Sequence, residues 1–212
     1  MRSIVAVFAL MVSLVACADD QAAQPAYEAG THYVVLESPV RTRNPNKIEV
    51  TEVFWYGCGH CFKFEPLVHQ WEQQQADDVN FVQSPAMWNG AMEIHARAFY
   101  VAKALGVFDV MHQPMFSALN LQRKPLNNVE QLSAFFAEYG VDEEKFKKAY
   151  QSFGVTSQVK QADSRARSYR ITGTPEIVVN GQYRVSARMV GGQAEMLKVV
   201  DHLVAKIRAE KG

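Results

Sequence analysis

Two runs, His32 to Leu36 and Ile48 to Tyr56, are rich in β-branched and aromatic residues and flank a polar stretch holding Pro39, Asn44, Pro45 and Asn46. Both predict strands. The second run, with Val50, Val53, Phe54, Trp55 and Tyr56, is nearly continuous in apolar character, the pattern of a strand covered on both faces, and Glu52 interrupts it. From Cys58 to about Gln75 the spacing becomes helical, with Phe62, Leu67, Val68 and Trp71 as the apolar positions and Pro66 placed to bend the helix. A strand over Val79 to Gln83 follows. Between Asn89 and Tyr169 every segment reads as helix. Met92, Ala96, Phe99, Val101 and Leu105 form one stripe, Val129, Leu132, Phe135 and Phe136 another, and Gly106, Gly140 and Gly154 mark ends. Strand character returns at Glu176 to Val179, where Asn180-Gly181 is a strong hairpin signal and Gln182 to Val185 supplies the return strand. After Gly191-Gly192, a last helix runs from Gln193 to about Glu210 with Leu197, Val200, Leu203 or Val204, and Ile207 on one face.

The order strand, strand, helix, strand, several helices, strand, strand, helix describes an α/β sheet domain over residues 31–88 and 170–212, interrupted by a helical insertion over 89–169. The start of the chain is different. Arg2, the apolar run Ile4 to Ala16 and small residues at Ala16-Cys17-Ala18 read as an export signal over 1–18, too short to span a bilayer. Two fates fit it: ordinary cleavage after Ala18, or cleavage before Cys17 at Leu14-Val15-Ala16-Cys17, which resembles a bacterial lipobox and would leave a lipid anchor on Cys17. Residues 19–30 lack apolar periodicity and read as a flexible tail or tether.

Composition adds little until the cysteines are counted. Hydrophobic residues at 48% and charged ones at 21% are ordinary globular usage, and 22 basic against 22 acidic residues favour neither nucleic acid nor an anionic membrane. Three cysteines, Cys17, Cys58 and Cys61, exclude a disulfide-stapled scaffold. Cys58 follows a predicted strand and opens a predicted helix, so its sulfur lies among unpaired N–H groups at the positive end of the helix dipole, where a thiolate is favoured. His60 in the same turn can add a donor or a positive charge. A zinc half-site would need a second ligand pair that the sequence lacks, and a disulfide across two residues closes too small a loop to be a staple. Redox chemistry at Cys58-Gly59-His60-Cys61 is the reading left. His69, His95, His112 and His202 lack ligand spacing and read as packed or surface residues, so no metal and no cofactor is expected.

The segment Phe54-Trp55-Tyr56-Gly57-Cys58-Gly59-His60-Cys61-Phe62-Lys63-Phe64-Glu65 resembles the active-site segment of the DsbA family of thiol:disulfide interchange proteins. The likeness extends to Thr172-Gly173-Thr174-Pro175, similar to the family's cis-proline loop, and to Val178-Val179-Asn180-Gly181 after it. It implies a thioredoxin fold carrying a helical insertion, and a periplasmic oxidoreductase that donates its Cys58–Cys61 disulfide to folding exported proteins with free cysteines. It also implies that Thr174-Pro175 is cis and faces the disulfide with Thr174 backbone groups free for a substrate chain, that Glu52 is a buried acid able to relay a proton, and that Glu65 is a second such acid. Reoxidation by a quinone-linked membrane protein of the DsbB type follows from the same likeness. Gly59 departs from the proline of enteric members and resembles the pair in protein disulfide isomerases. Competing readings are a reductase or isomerase on the same fold, a thiol chaperone or metallochaperone, and an anchored module whose disulfide is structural.

Overall fold

The computed structural model describes residues 27–211. The export signal, Cys17 and most of the 19–30 tail lie outside the described residues. Within them a five-stranded sheet has the order β1-β5-β4-β2-β3, formed by β1 (Val34–Val35), β2 (Ile48–Phe54), β3 (Val79–Pro85), β4 (Glu176–Val179) and β5 (Tyr183–Ser186). Only β2 and β3 pair in parallel, joined across α1 (Gly59–Gln73); the other neighbours are antiparallel. Between β3 and β4 stand five helices: α2 (Gly90–Ala104), α3 (Phe108–Asn120), α4 (Val129–Ala137), α5 (Glu143–Tyr150) and α6 (Phe153–Ser168). The short α7 (Ala187–Val190) and the long α8 (Gln193–Lys211) close the chain.

All seven residues of β2 are buried, as a strand paired on both edges and packed on both faces requires. Its period-2 alternation divides the core. Ile48 and Val50 pack with Ile177 and Val179 against Phe64, Val68 and Trp71 of α1 and Met196, Val200 and Leu203 of α8. Val53 and Val178 face the opposite way, onto Met92 of α2, Ala166 of α6 and Tyr169 at the end of α6. The helical segment has its own core around Phe99, Met111, Phe116, Leu132, Phe136 and Phe146, and this core reaches Phe54, Tyr56 and Cys61, so the helices close over the end of β2.

Local chemistry explains four of the helix starts. Asn89, Asn128, Asp142 and Ser152 each accept a first-turn N–H with the side chain, opening α2, α4, α5 and α6. Ser152 is the boundary, so Gly154 lies inside the first turn of α6 and does not mark an end. Helix α1 runs on through Pro66, and its buried stripe is Cys61, Phe64, Glu65, Val68 and Trp71; Leu67, expected in the core, is 38% exposed. The strand expected over His32 to Leu36 shrinks to two residues, because it is an edge whose only neighbour is β5.

Candidate active site

The turn from β2 to α1 is held by the helices above it. Trp55 donates its indole N–H to His95 Nδ1 at 3.0 Å, and His95 Nε2 donates to the Leu126 carbonyl at 3.0 Å, which sets the tautomer. Burial lowers the pKa of His95, so it stays neutral there. Asn120 Nδ2 donates to the Tyr56 carbonyl at 2.7 Å, and Cys58 N–H to the Trp55 carbonyl at 3.0 Å. Gly57 is required by space, since a Cβ there would collide with the Trp55 indole.

Cys58 is the N-cap of α1, in extended conformation with φ −86° and ψ 113°, and its sulfur accepts the Cys61 N–H at 3.4 Å. The two cysteines, both thiols, differ sharply: Cys58 is half-exposed, whereas Cys61 is fully buried. Hydrogen bonding from the Cys61 side chain, helped by the backbone N–H groups of Cys61 and His60, outweighs burial and brings the Cys58 pKa down to about 5. Cys61 goes the other way, because burial and its role as donor to Cys58 hold its proton far more tightly than an ordinary thiol. His60 is exposed; its backbone N–H supports Cys58, and its carbonyl accepts from Gln193 Nε2 at 2.7 Å. Gly59 is exposed, and a side chain there would meet only Asn120 Oδ1, at 3.8 Å.

The Thr174–Pro175 peptide is cis, and Cys58 Sγ lies 3.3 Å from the Thr174 carbonyl, to which it donates when protonated. Beside this contact a groove opens, lined by His60, Thr172, Thr174, Pro175, Arg188 and Gln193. Cys58 is therefore covered by the helical core on one side and bordered on the other by the groove along the Thr174 loop.

Glu52 is fully buried and lies on the α1 side of β2, in register with Gln83 of β3. Gln83 Nε2 donates to Glu52 Oε2 at 3.0 Å and to Glu65 Oε2 at 3.1 Å, while Glu52 Oε1 has no partner. Burial first, then the nearby Glu65 charge, push the Glu52 pKa up to about 8. Glu65 is 5% exposed, the inward orientation rather than that of a solvent-facing helix residue.

Two participants escaped the sequence reading. Gln83 is named only by the β2–β3 register, which single-strand patterns do not carry. His112, read as an unremarkable packed or surface residue, is 6% exposed; its Nε2 lies 3.1 Å from Glu65 Oε1, and its Nδ1 shares a 2.8 Å hydrogen bond with the Tyr56 hydroxyl. The Nε2 contact is short but off the N–H line, so it is an electrostatic contact more than an aligned hydrogen bond. Among the described residues no group of three or more His, Cys, Asp or Glu side chains is placed to hold a metal ion, and no helix is long and apolar enough to cross a membrane.

A sheet with a Cys-x-x-Cys pair at the start of α1, one thiol acidic and one buried, against a cis-proline loop defines a thioredoxin-fold thiol:disulfide oxidoreductase. The profile of the family described as DSBA-like thioredoxin domain matches residues 86–204. The thiol:disulfide interchange protein DsbA of Pseudomonas aeruginosa PAO1 is 41% identical over 201 residues, covering 95% of this chain and 92% of that protein. The DsbA of Burkholderia cepacia is 33% identical over 204 residues, with 95% and 96% covered. The crystal structure of Pseudomonas aeruginosa DsbA superposes with a TM-score of 0.84 at 42% identity, covering 87% of this chain and 96% of that one; the oxidoreductase DsbA from Xylella fastidiosa gives 0.81 at 34%, with 86% and 98% covered. The chain belongs to the DsbA family of thiol:disulfide interchange proteins.

Proposed function

We propose that the protein is a disulfide donor acting on exported proteins in the periplasm, and the observation that carries this direction is the asymmetry of the two thiols. A stabilised Cys58 thiolate, with Cys61 donating to it, lowers the free energy of the reduced form. A reduced form that is stabilised makes its disulfide an oxidant, a relation for which DsbA is itself the reference case.

In the exchange a substrate thiolate attacks Cys58 Sγ of the disulfide. A substrate–Cys58 bond forms, the Cys58–Cys61 bond breaks, and Cys61 leaves with the electron pair. Buried Cys61 needs a proton at once, and Glu52, protonated at neutral pH and within electrostatic reach of it, supplies that proton. A second substrate thiolate then attacks the substrate sulfur of the mixed disulfide. Cys58 departs as a thiolate, the substrate gains a disulfide, and the protein is left as the dithiol. In the disulfide form Cys58 has no thiol proton to give the Thr174 carbonyl, so the Thr174 backbone pairs with the substrate chain in the groove, His60 and Gly59 shape the approach to Cys58, and Pro175 forms the floor beside it.

Reoxidation falls to a quinone-linked membrane oxidase of the DsbB type, and a lipid on Cys17 would hold the protein close to it. The two arms of the fold divide as a thioredoxin-like domain over 31–88 and 170–212 and a helical insertion over 89–169. The test is equilibration of the protein against graded glutathione buffers, read by thiol alkylation. A potential well above that of glutathione is the expected result; one near thioredoxin's would overturn the donor reading and leave a reductase or isomerase.

A further inference from the structure

The buried acids form a chain whose two ends differ. Gln83 offers one N–H to each carboxyl and cannot decide which of them carries charge. Two carboxylates joined this way repel one another in a low-dielectric site, so one of them keeps a proton. Glu52 has nothing further to lean on, because its Oε1 is unpartnered. Glu65 has His112, whose ring is caged by Phe54, Phe99, Phe108 and Phe116 and whose Nδ1 is tied to Tyr56. The cage and the tie leave the imidazole one orientation, with Nε2 toward Glu65.

We infer that His112 is a positioning residue for disulfide exchange: by facing Glu65 it draws the negative charge of the acid pair outward and leaves the proton on Glu52, on the side of Cys61. This deepens the proton-donor reading of Glu52 and rests on it. Other titratable groups around Glu65 and His112 are farther out, in the groove where this end of the chain meets solvent. They are Arg43 from the β1–β2 connection, His69 and Glu72 from α1, Lys103 from α2 and Asp109 from α3. Tyr56, below the ring, stays protonated because burial raises its pKa well above the ordinary value. His112 is thus the one group of this set in contact with both the acid chain and the aromatic core.

The experiment is the pH dependence, from pH 5 to 9, of the Cys58–Cys61 equilibrium with glutathione, measured for the whole protein and for variants. Glu52→Gln is expected to remove the inflection near pH 8, and Glu65→Gln to move it down by about one pH unit, as loss of a neighbouring charge should. His112→Phe, whose ring suits the aromatic cage, is expected to move it down comparably, while His112→Gln, whose amide dipole can still face Glu65, moves it by less. His112→Asn, too short to reach Glu65, takes the place of His112→Phe if the latter does not fold. In the Glu65→Gln background the effect of His112→Phe should vanish. An inflection unmoved by His112→Phe or His112→Asn, or a shift that persists undiminished without Glu65, would overturn the role of His112 while sparing that of Glu52. No change in Glu52→Gln would overturn the proton-donor reading itself, and the inference with it.

Discussion

A thiol pKa of about 5 three residues from a thiol that holds its proton tightly is produced by position alone, since both side chains are cysteine. Cys58 sits at the helix cap with N–H groups pointing at it; Cys61, one turn in, faces the core. Cys58→Ser is therefore expected to abolish disulfide transfer, measured as oxidative refolding of a reduced test protein. Cys61→Ser should instead accumulate mixed disulfides at Cys58, visible on non-reducing gels, because the thiol that would release the partner is gone. Glu52 gives the second prediction at this scale. An acid whose folded pKa is raised to about 8 costs stability from its unfolded value of 4.5 upward, and the cost grows until pH passes 8. Glu52→Gln should leave the stability unchanged at pH 4 and stabilise the fold at pH 8 by on the order of 4 kcal/mol, measured by urea unfolding at both pH values.

Among the elements, the hairpin between β4 and β5 and the first turn of α1 make opposite demands on glycine. Asn180 at φ 50° and Gly181 at φ 64° give the left-handed pair at the centre of the turn that the Gln182 N–H closes on the Val179 carbonyl, and a Cβ on Gly181 would run into the Val40 carbonyl. Val40 itself donates to the Gly181 carbonyl at 2.8 Å, so this contact ties the β1–β2 connection to the hairpin. Gly181→Ala is expected to cost about 1–3 kcal/mol, read as a lower urea midpoint at unchanged slope. Gly59 is free of such constraint. It occupies the first helical position after the Cys58 cap, where proline's fixed φ fits and its missing N–H is not needed. Gly59→Pro should fold normally and match the parent or exceed it by up to about 1 kcal/mol in stability, read as an equal or higher urea midpoint. The same element-scale chemistry made most of the architecture legible: an Asn-Gly turn and a change from period 2 to period 3.6 are local properties. Leu67 and Gly154 were misplaced because a helix stripe and a helix start depend on which neighbour the helix meets and which residue caps it.

For the whole molecule, the redox state and the stability of the fold are linked. The stabilised Cys58 thiolate exists only in the folded, reduced protein, so the reduced form should melt above the oxidised one at pH 7. With the thiol lowered from 9.0 to about 5, that contribution is fully present above pH 9, shrinks as pH falls toward 5, and is absent below it. Calorimetric melting of both forms at pH 5 and pH 7 should show the gap narrowing at the lower pH; a gap that widens would contradict the thiolate as its source. The same linkage explains why the helical segment matters to chemistry performed on the sheet. Its core reaches Cys61, Phe54 and Tyr56, and His95 and Asn120 hold the turn that presents Cys58.

By itself the sequence determined the elements, the α/β order with helices between β3 and β4, and the redox pair, because each is written in spacing along one stretch of chain. It also placed Glu52 six residues before Cys58, but a lone charge in an apolar strand reads equally as buried or solvated. Only the tertiary structure decided that Glu52 is buried without a partner for one oxygen, that Gln83 joins it to Glu65, and that His112 and Tyr56 stand behind Glu65. Those relations bring together residues from β2, α1, β3 and α3, separated by up to 60 positions. A titratable group's behaviour depends on burial and on its neighbours in space, neither of which a linear pattern contains.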